Sequence, residues 1–304
     1  MRITRRSLMA ATGAAALAGG MLPRRVWAET ALDLGGGASL TTLSDGNLVL
    51  PGDFILGGMP QAEMTEIVTR YGLSTDQLTP PCNVTLYRDG TNTVLFDVGS
   101  GPDFMPSAGK ITEAMDAIGL APEEVTHVIF THAHPDHIWG LLDEFDEPLF
   151  YDASYHIGRQ EWDYWTDPAT VDTIGLERQS FAVGAARRLA VLEDSINIFE
   201  DGADILPGIG AVGTFGHTPG HMAFLVGGSV LVGGDAIGNH HVAFERPEWA
   251  SGSDQDPEMG AATRVALLDR IVADDLTLVG FHLPGGGIGR VERAGTGYRY
   301  VEDL

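Results

Sequence analysis

The chain has 304 residues, with 18 basic and 42 acidic side chains and a formal net charge of −24. A surface this acidic repels phosphate backbones, which argues against nucleic acid or anionic membranes as partners. Cys82 is the only cysteine, so no intramolecular disulfide can form.

Residues 1–28 read as an export signal. They carry Thr4-Arg5-Arg6-Ser7-Leu8, an Ala/Gly-rich apolar stretch to Leu22, and a small-residue cleavage site at Val26-Trp27-Ala28. The arginine pair is of the twin-arginine type, which exports folded proteins, so a periplasmic location is expected, free of the membrane after cleavage. Removing this segment removes five arginines and no acid, taking the charge from −24 to −29. Residues 29–304 suit one large domain, with 29–40, including Gly35-Gly36-Gly37, as a loose lead-in. Apolar residues at helical spacing predict helices over 62–71, 111–118, 160–165, 177–189 and 261–272. Strand-like runs cover 128–131, 209–215, 229–232 and 276–281, with a final strand pair at 289–292 and 297–301. This alternation is that of a layered α/β protein. Cys82, in Pro80-Pro81-Cys82-Asn83-Val84, reads as a buried, inert thiol. Gly285-Gly286-Gly287 lacks a following Lys-Ser/Thr and reads as a turn.

The most informative segment is Val128-Ile129-Phe130-Thr131 followed by His132-Ala133-His134-Pro135-Asp136-His137. Three imidazoles and a carboxylate leave the end of a buried strand within one short turn. Nitrogen and oxygen donors without a thiolate suit Zn²⁺, with Mn²⁺, Fe²⁺ and Co²⁺ as substitutes. Three later strand-like runs end at His217, at Asp235 and at His282. Singly each reads as a turn residue; if the strand ends share one edge of a sheet sandwich, the side chains converge.

In order and spacing, residues 41–282 resemble the metallo-β-lactamase fold superfamily, specifically its dinuclear hydrolases. The resemblance implies an αββα four-layer sandwich and two divalent metal ions. His132, His134 and His217 would hold one ion, Asp136, His137 and His282 the other, and Asp235 would bridge them. A hydroxide shared by the metals would then attack a lactone, an ester or an organophosphate triester. Asp136 would orient it and serve the leaving group. Thr131, Thr218 and His221 are candidates for fixing the imidazole tautomers. The closest resemblance is to the methyl parathion hydrolase-like branch. It rests on residues 131–142, 216–226, 235–247 and 281–290, and on Glu161-Trp162-Asp163-Tyr164-Trp165. That branch implies a small neutral or apolar ester-like substrate and allows a homodimer. Phe104, Trp139, Trp165 and Phe181 are candidate pocket walls, with core packing as the competing reading of each. N-acyl homoserine lactone-specific quorum-quenching lactonases share the seven ligands but place a tyrosine soon after the bridging aspartate. Asp235-Ala236-Ile237-Gly238-Asn239-His240-His241 contains none. An iron-dependent, persulfide dioxygenase-like oxidoreductase is the alternative from another enzyme class; it needs only two His and one Asp.

Overall fold

The computed structural model describes residues 28–302. The expected export signal lies outside the described residues except for Ala28, where the first strand begins. One seven-stranded sheet has the order β1 (Ala28–Gly35), β2 (Ala38–Asn47), β5 (Pro81–Arg88), β6 (Thr93–Phe96), β7 (His127–Ile129), β8 (Ser154–Gly158) and β9 (Asn197–Phe199). The second runs in sequence order: β10 (Asp204–Leu206), β11 (Ile209–Gly213), β12 (Met222–Val226), β13 (Val230–Val232), β14 (Thr277–Val279), β15 (Ile288–Ala294) and β16 (Gly297–Val301). A two-stranded ribbon, β3 (Leu50–Pro51) with β4 (Gln77–Leu78), stands apart from both. The helices are α1 (Gly52–Leu56), α2 (Gln61–Arg70), α3 (Ile111–Ala117), α4 (Pro135–Ile138), α5 (Arg159–Thr166), α6 (Thr170–Thr173), α7 (Gln179–Leu192), α8 (Val242–Glu245) and α9 (Pro257–Ala273). No helix among the described residues is long and apolar enough to cross a membrane.

Strand periodicity builds the layers. In β6, Val94 and Phe96 enter one core while Leu95 enters another; in β13, Val230 and Val232 part from Leu231 in the same way. The cluster of Leu40, Phe96, Ile129, Phe224 and Val232 fills the space between the sheets. On the outer face of the first sheet, Leu95 and Val128 pack with Ala114 and Met115 of α3 and Leu189 of α7. Leu231 and Leu278 pack with Leu267, Leu268 and Ile271 of α9 outside the second. The result is the αββα sandwich. Burial of each such Leu or Phe contributes about 1.5–3 kcal/mol.

Residues 29–40 are not a loose lead-in: they form most of the β1–β2 hairpin. Gly35, Gly36 and Gly37 all have positive φ, so the glycines make the turn rather than mark slack chain. The parallel strands bear on the site. β6, β7, β8 and β9 are mutually parallel, as are β13 and β14, so their C-terminal ends share an edge within each sheet. The run expected over 128–131 ends as a strand at Ile129. Phe130 N still donates to His156 O, but Thr131 N donates to Asp97 Oδ1 at 2.8 Å, and the chain leaves the sheet. Beside that edge, β3, α1, α2 and β4 form a small lobe with its own core of Ile55, Leu56, Met64, Ile67, Val68 and Val242.

Candidate metal centre and its cavity

The structure brings all seven expected donors together in two groups: His132, His134 and His217, and Asp136, His137, Asp235 and His282, with the ligand atoms within 4.8 Å in each group. They come from the loop after β7 and the start of α4, the β11–β12 loop, and the ends of β13 and β14. Pro135 at the first helical position fixes the turn, so that Asp136 and His137 follow on the first turn of α4.

In the first group, His134 Nδ1 lies 3.0 Å from both His132 Nε2 and His217 Nε2. In the second, His282 Nε2 lies 3.2 Å from Asp136 Oδ2 and from Asp235 Oδ2, and His137 Nε2 lies 3.2 Å from Asp235 Oδ1. Asp235 Oδ2 is also 3.4 Å from His217 Nε2, so this carboxylate touches both groups. Four donors around a zinc ion at about 2.0–2.1 Å are spaced by roughly 3.3 Å, which these separations match.

The far nitrogens explain the orientation. His137 Nδ1 donates to Asp97 Oδ2 at 2.8 Å, His282 Nδ1 to Pro81 O at 2.8 Å, and His217 Nδ1 to Asp254 Oδ1 at 3.2 Å. Carboxylates and carbonyls only accept, so each ring must carry its proton on Nδ1 and aim a bare Nε2 at the cluster. Thr131 Oγ1 gives its proton to Asp97 Oδ2 at 2.8 Å and accepts from His132 Nδ1 at 3.0 Å. His134 is turned over: its Nε2 meets the Gln255 side-chain amide at 3.2 Å and its Nδ1 faces the cluster.

A cation fits this donor set. Asp136 Oδ2, His137 Nε2 and Asp235 Oδ1 are buried without a hydrogen-bond partner, an arrangement that is costly unless something positive sits among them. Burial pushes His132 and His134 well below the usual imidazole range, keeping them neutral as ligands must be. Burial also opposes charging His137, but Asp235, Asp136 and Asp97 outweigh it and push this imidazole up to about 10. The carboxylates thus demand positive charge, and a divalent ion can take the place of the proton.

The remaining expectations divide. His221 accepts from Asp235 N at 3.0 Å through Nε2, while Nδ1 lies 2.7 Å from Thr214 Oγ1, so it positions the Asp235 backbone rather than an imidazole. Thr218 Oγ1 hydrogen-bonds no imidazole among the described residues; it donates to Glu161 Oε2 at 2.6 Å. In the sequence Glu161 reads only as part of an aromatic stretch. Buried on α5, it also accepts from Ala133 N at 2.8 Å, Gly220 N at 3.1 Å and Trp165 Nε1 at 2.5 Å, joining the two histidine loops. An acidic residue at helical spacing from a tryptophan was the available sign.

A cavity of about 460 Å³ opens over the cluster, lined by Asp136, Asp235 and His282 and by Phe104 and Phe181. Trp165 and Trp139 are not wall residues. Trp165 is fully buried, its indole N–H spent on Glu161, and Trp139 packs under the Arg188 guanidinium at 4.6 Å. Both were too well suited to the core behind α7. Cys82 is fully buried, and burial pushes its thiol up to about 12.

Among curated proteins none matches the chain. Among solved structures, the hydrolase AbOPH of the beta-lactamase superfamily is 26% identical with a TM-score of 0.84, covering 92% of this chain and 99% of its own. AidC, a dizinc quorum-quenching lactonase, is 20% identical with a TM-score of 0.84, over 91% and 98%. A probable metal-dependent hydrolase from Staphylococcus aureus is 19% identical with a TM-score of 0.70, over 88% and 99%. The family model of the metallo-beta-lactamase superfamily matches residues 79–282, a span that contains every one of the seven donors. The chain therefore belongs to the metallo-beta-lactamase superfamily.

Proposed function

We propose that this protein is a dinuclear metal-dependent hydrolase of lactones or carboxylic esters, with organophosphate triesters as secondary substrates. The observation that carries the reading is the set of seven inward-aimed donors on the floor of a largely apolar cavity. Two divalent ions held there, zinc by donor type, would supply Lewis acidity and a water of lowered pKa. The chain's own residues do the rest. Asp97, Asp254, Pro81 and Thr131 hold the imidazoles in one tautomer each, so no reorganisation is needed when substrate arrives. Asp136 Oδ2 is directed at the cluster without a hydrogen bond, which suits it to orient the attacking water and to pass a proton to the leaving oxygen. Phe104 and Phe181 restrict water beside the reacting bond.

The likeness to AidC, a dizinc lactonase, supports the lactone reading, and that to AbOPH, a hydrolase, supports hydrolysis more broadly. The methyl parathion hydrolase-like branch remains our proposal for the subgroup, and export to the periplasm our proposal for location. The test is kcat/KM of the zinc-loaded protein on a γ-lactone series beside aryl phosphotriesters. A lactone preference of several orders of magnitude makes it a lactonase; comparable phosphotriester turnover places it with the phosphotriesterases. Failure on both with two metals bound overturns the reading.

A further inference from the structure

The cavity wall is apolar along Leu48, Leu50, Phe54, Ile55, Leu73 and Leu78, yet one cation is set into it. Among the described residues, Arg178 is the only carboxylate, lysine or arginine lining the space besides Asp136 and Asp235 of the metal cluster. Its position is fixed from three sides. Nη2 donates to Gly252 O at 2.8 Å and to Ser253 O at 3.3 Å. The guanidinium carbon stands 5.5 Å from the centre of the Phe54 ring. Three residues further on, Phe181 packs its ring 5.8 Å from that of His134. The loop that Arg178 grips continues into Asp254 and Gln255, which bond His217 and His134. Arg178 is thus tied to the same scaffold as the metal cluster.

What it lacks is an anion. The chain has 42 acidic residues, and Arg70, Arg187, Arg246, Arg264 and Arg293 each find one of them; Arg188 also grips only carbonyls, but it does not line the cavity. Arg178 meets no carboxylate among the described residues. Gripping two carbonyls uses only Nη2, leaving the Nε and Nη1 donors uncommitted. A tie for the 252–253 loop requires no more than that nitrogen. It does not account for a permanent charge, with most of its fork free, on the wall of an apolar cavity.

We propose that Arg178 is a specificity-determining residue that binds a carboxylate carried by the substrate away from the bond that is cut. The preferred substrates would then be esters or lactones with an anionic end, rather than wholly neutral ones. This rests on the hydrolase reading above and adds to it the substrate class. The guanidinium stays charged at any working pH, and its free Nε and Nη1 donors each offer a carboxylate a charge-assisted hydrogen bond. The apolar wall would receive the methylene chain between the two ends.

The test compares the para-nitrophenyl monoester of adipic acid with para-nitrophenyl hexanoate, which differ only in a terminal carboxylate for a methyl. Both are assayed with the zinc-loaded wild type, Arg178→Gln and Arg178→Lys. The expected result is a wild-type preference for the adipate ester that falls by about 10- to 100-fold in Arg178→Gln, through KM rather than kcat, and only partly in Arg178→Lys. Absence of a wild-type preference, or equal losses on both esters, would reduce Arg178 to a loop tie and overturn the proposal. Failure to hydrolyse either ester counts against the hydrolase reading alone. Calorimetric binding of adipate to the metal-loaded protein still decides the role of Arg178: loss in Arg178→Gln supports it, and unchanged binding refutes it.

Discussion

The floor and the walls of the cavity share a boundary at Asp136 and His282 but are held in different ways. On the floor, each ligand imidazole has a far nitrogen bonded to a partner fixed by other strands or loops, and all seven donors are 7% exposed or less. On the walls, Phe54, Phe104 and Phe181 are only half-buried, and the 50–78 lobe behind them rests on a small core. Directional bonds specify the floor, whereas packing holds the aromatic walls. The same molecule thus joins a hydrogen-bonded reaction centre to a recognition surface held mainly by packing, and mutations in the two should behave differently.

Asp235→Ala tests the floor most severely, since this carboxylate approaches both groups. It should lower kcat/KM by more than about 100-fold, beyond the usual cost of disturbing a ligand's partner, and release at least one metal. Full activity with two metals by elemental analysis would refute the bridging role. Chelation should follow in severity. Removing ions that bind only the folded state at a hundredfold excess over Kd costs about 2.7 kcal/mol, so Tm should fall clearly on treatment with EDTA and recover with Zn²⁺. Glu161→Gln should weaken metal affinity by about 10- to 100-fold without touching a ligand, because an amide cannot accept all four donors that tie the two histidine loops. Competition with a chromophoric chelator would show it; unchanged affinity would make Glu161 a packing residue.

The walls should respond more mildly. Phe104→Ala and Phe181→Ala should each raise KM by about tenfold on apolar esters, with metal content intact. Loss of metal in either would mean that the walls help set the floor and that the contrast is wrong. Cys82 should show the smallest response. Burial has pushed its thiol up to about 12, so the folded protein should resist iodoacetamide near pH 8 and be labelled only after unfolding.

Several features were legible before any fold was known. His132 through His137 lie within one turn, and a β-prone run ending in polar donors announces a strand edge without tertiary information. Residues 111–118 and 261–272 were close to α3 and α9 because an amphipathic period is local. Boundaries were weaker: the helix expected over 177–189 runs from Gln179 to Leu192, after a 3₁₀ turn at Leu176–Arg178. The hairpin at 29–40 is not legible locally, because three glycines serve equally as slack chain or as a tight turn.

Trp165 and Glu161 show where local reading ends. An aromatic ring four residues from a carboxylate fits a pocket wall as well as a buried clamp, and only burial against α7 separates the two. The order and identity of the metal donors follow from short-range chemistry: strand, turn and the few atoms each side chain offers. Which carboxylate fixes which imidazole, and why Arg178 lines the cavity, depend on loops from distant parts of the chain meeting at the sheet edges. Asp97 and His137 are 40 residues apart, and Gln255 and His134 are 121. Contacts at such separations come from how the sheets close, because a hydrogen bond or a charge acquires its strength only in the dry, ordered surroundings that closure creates.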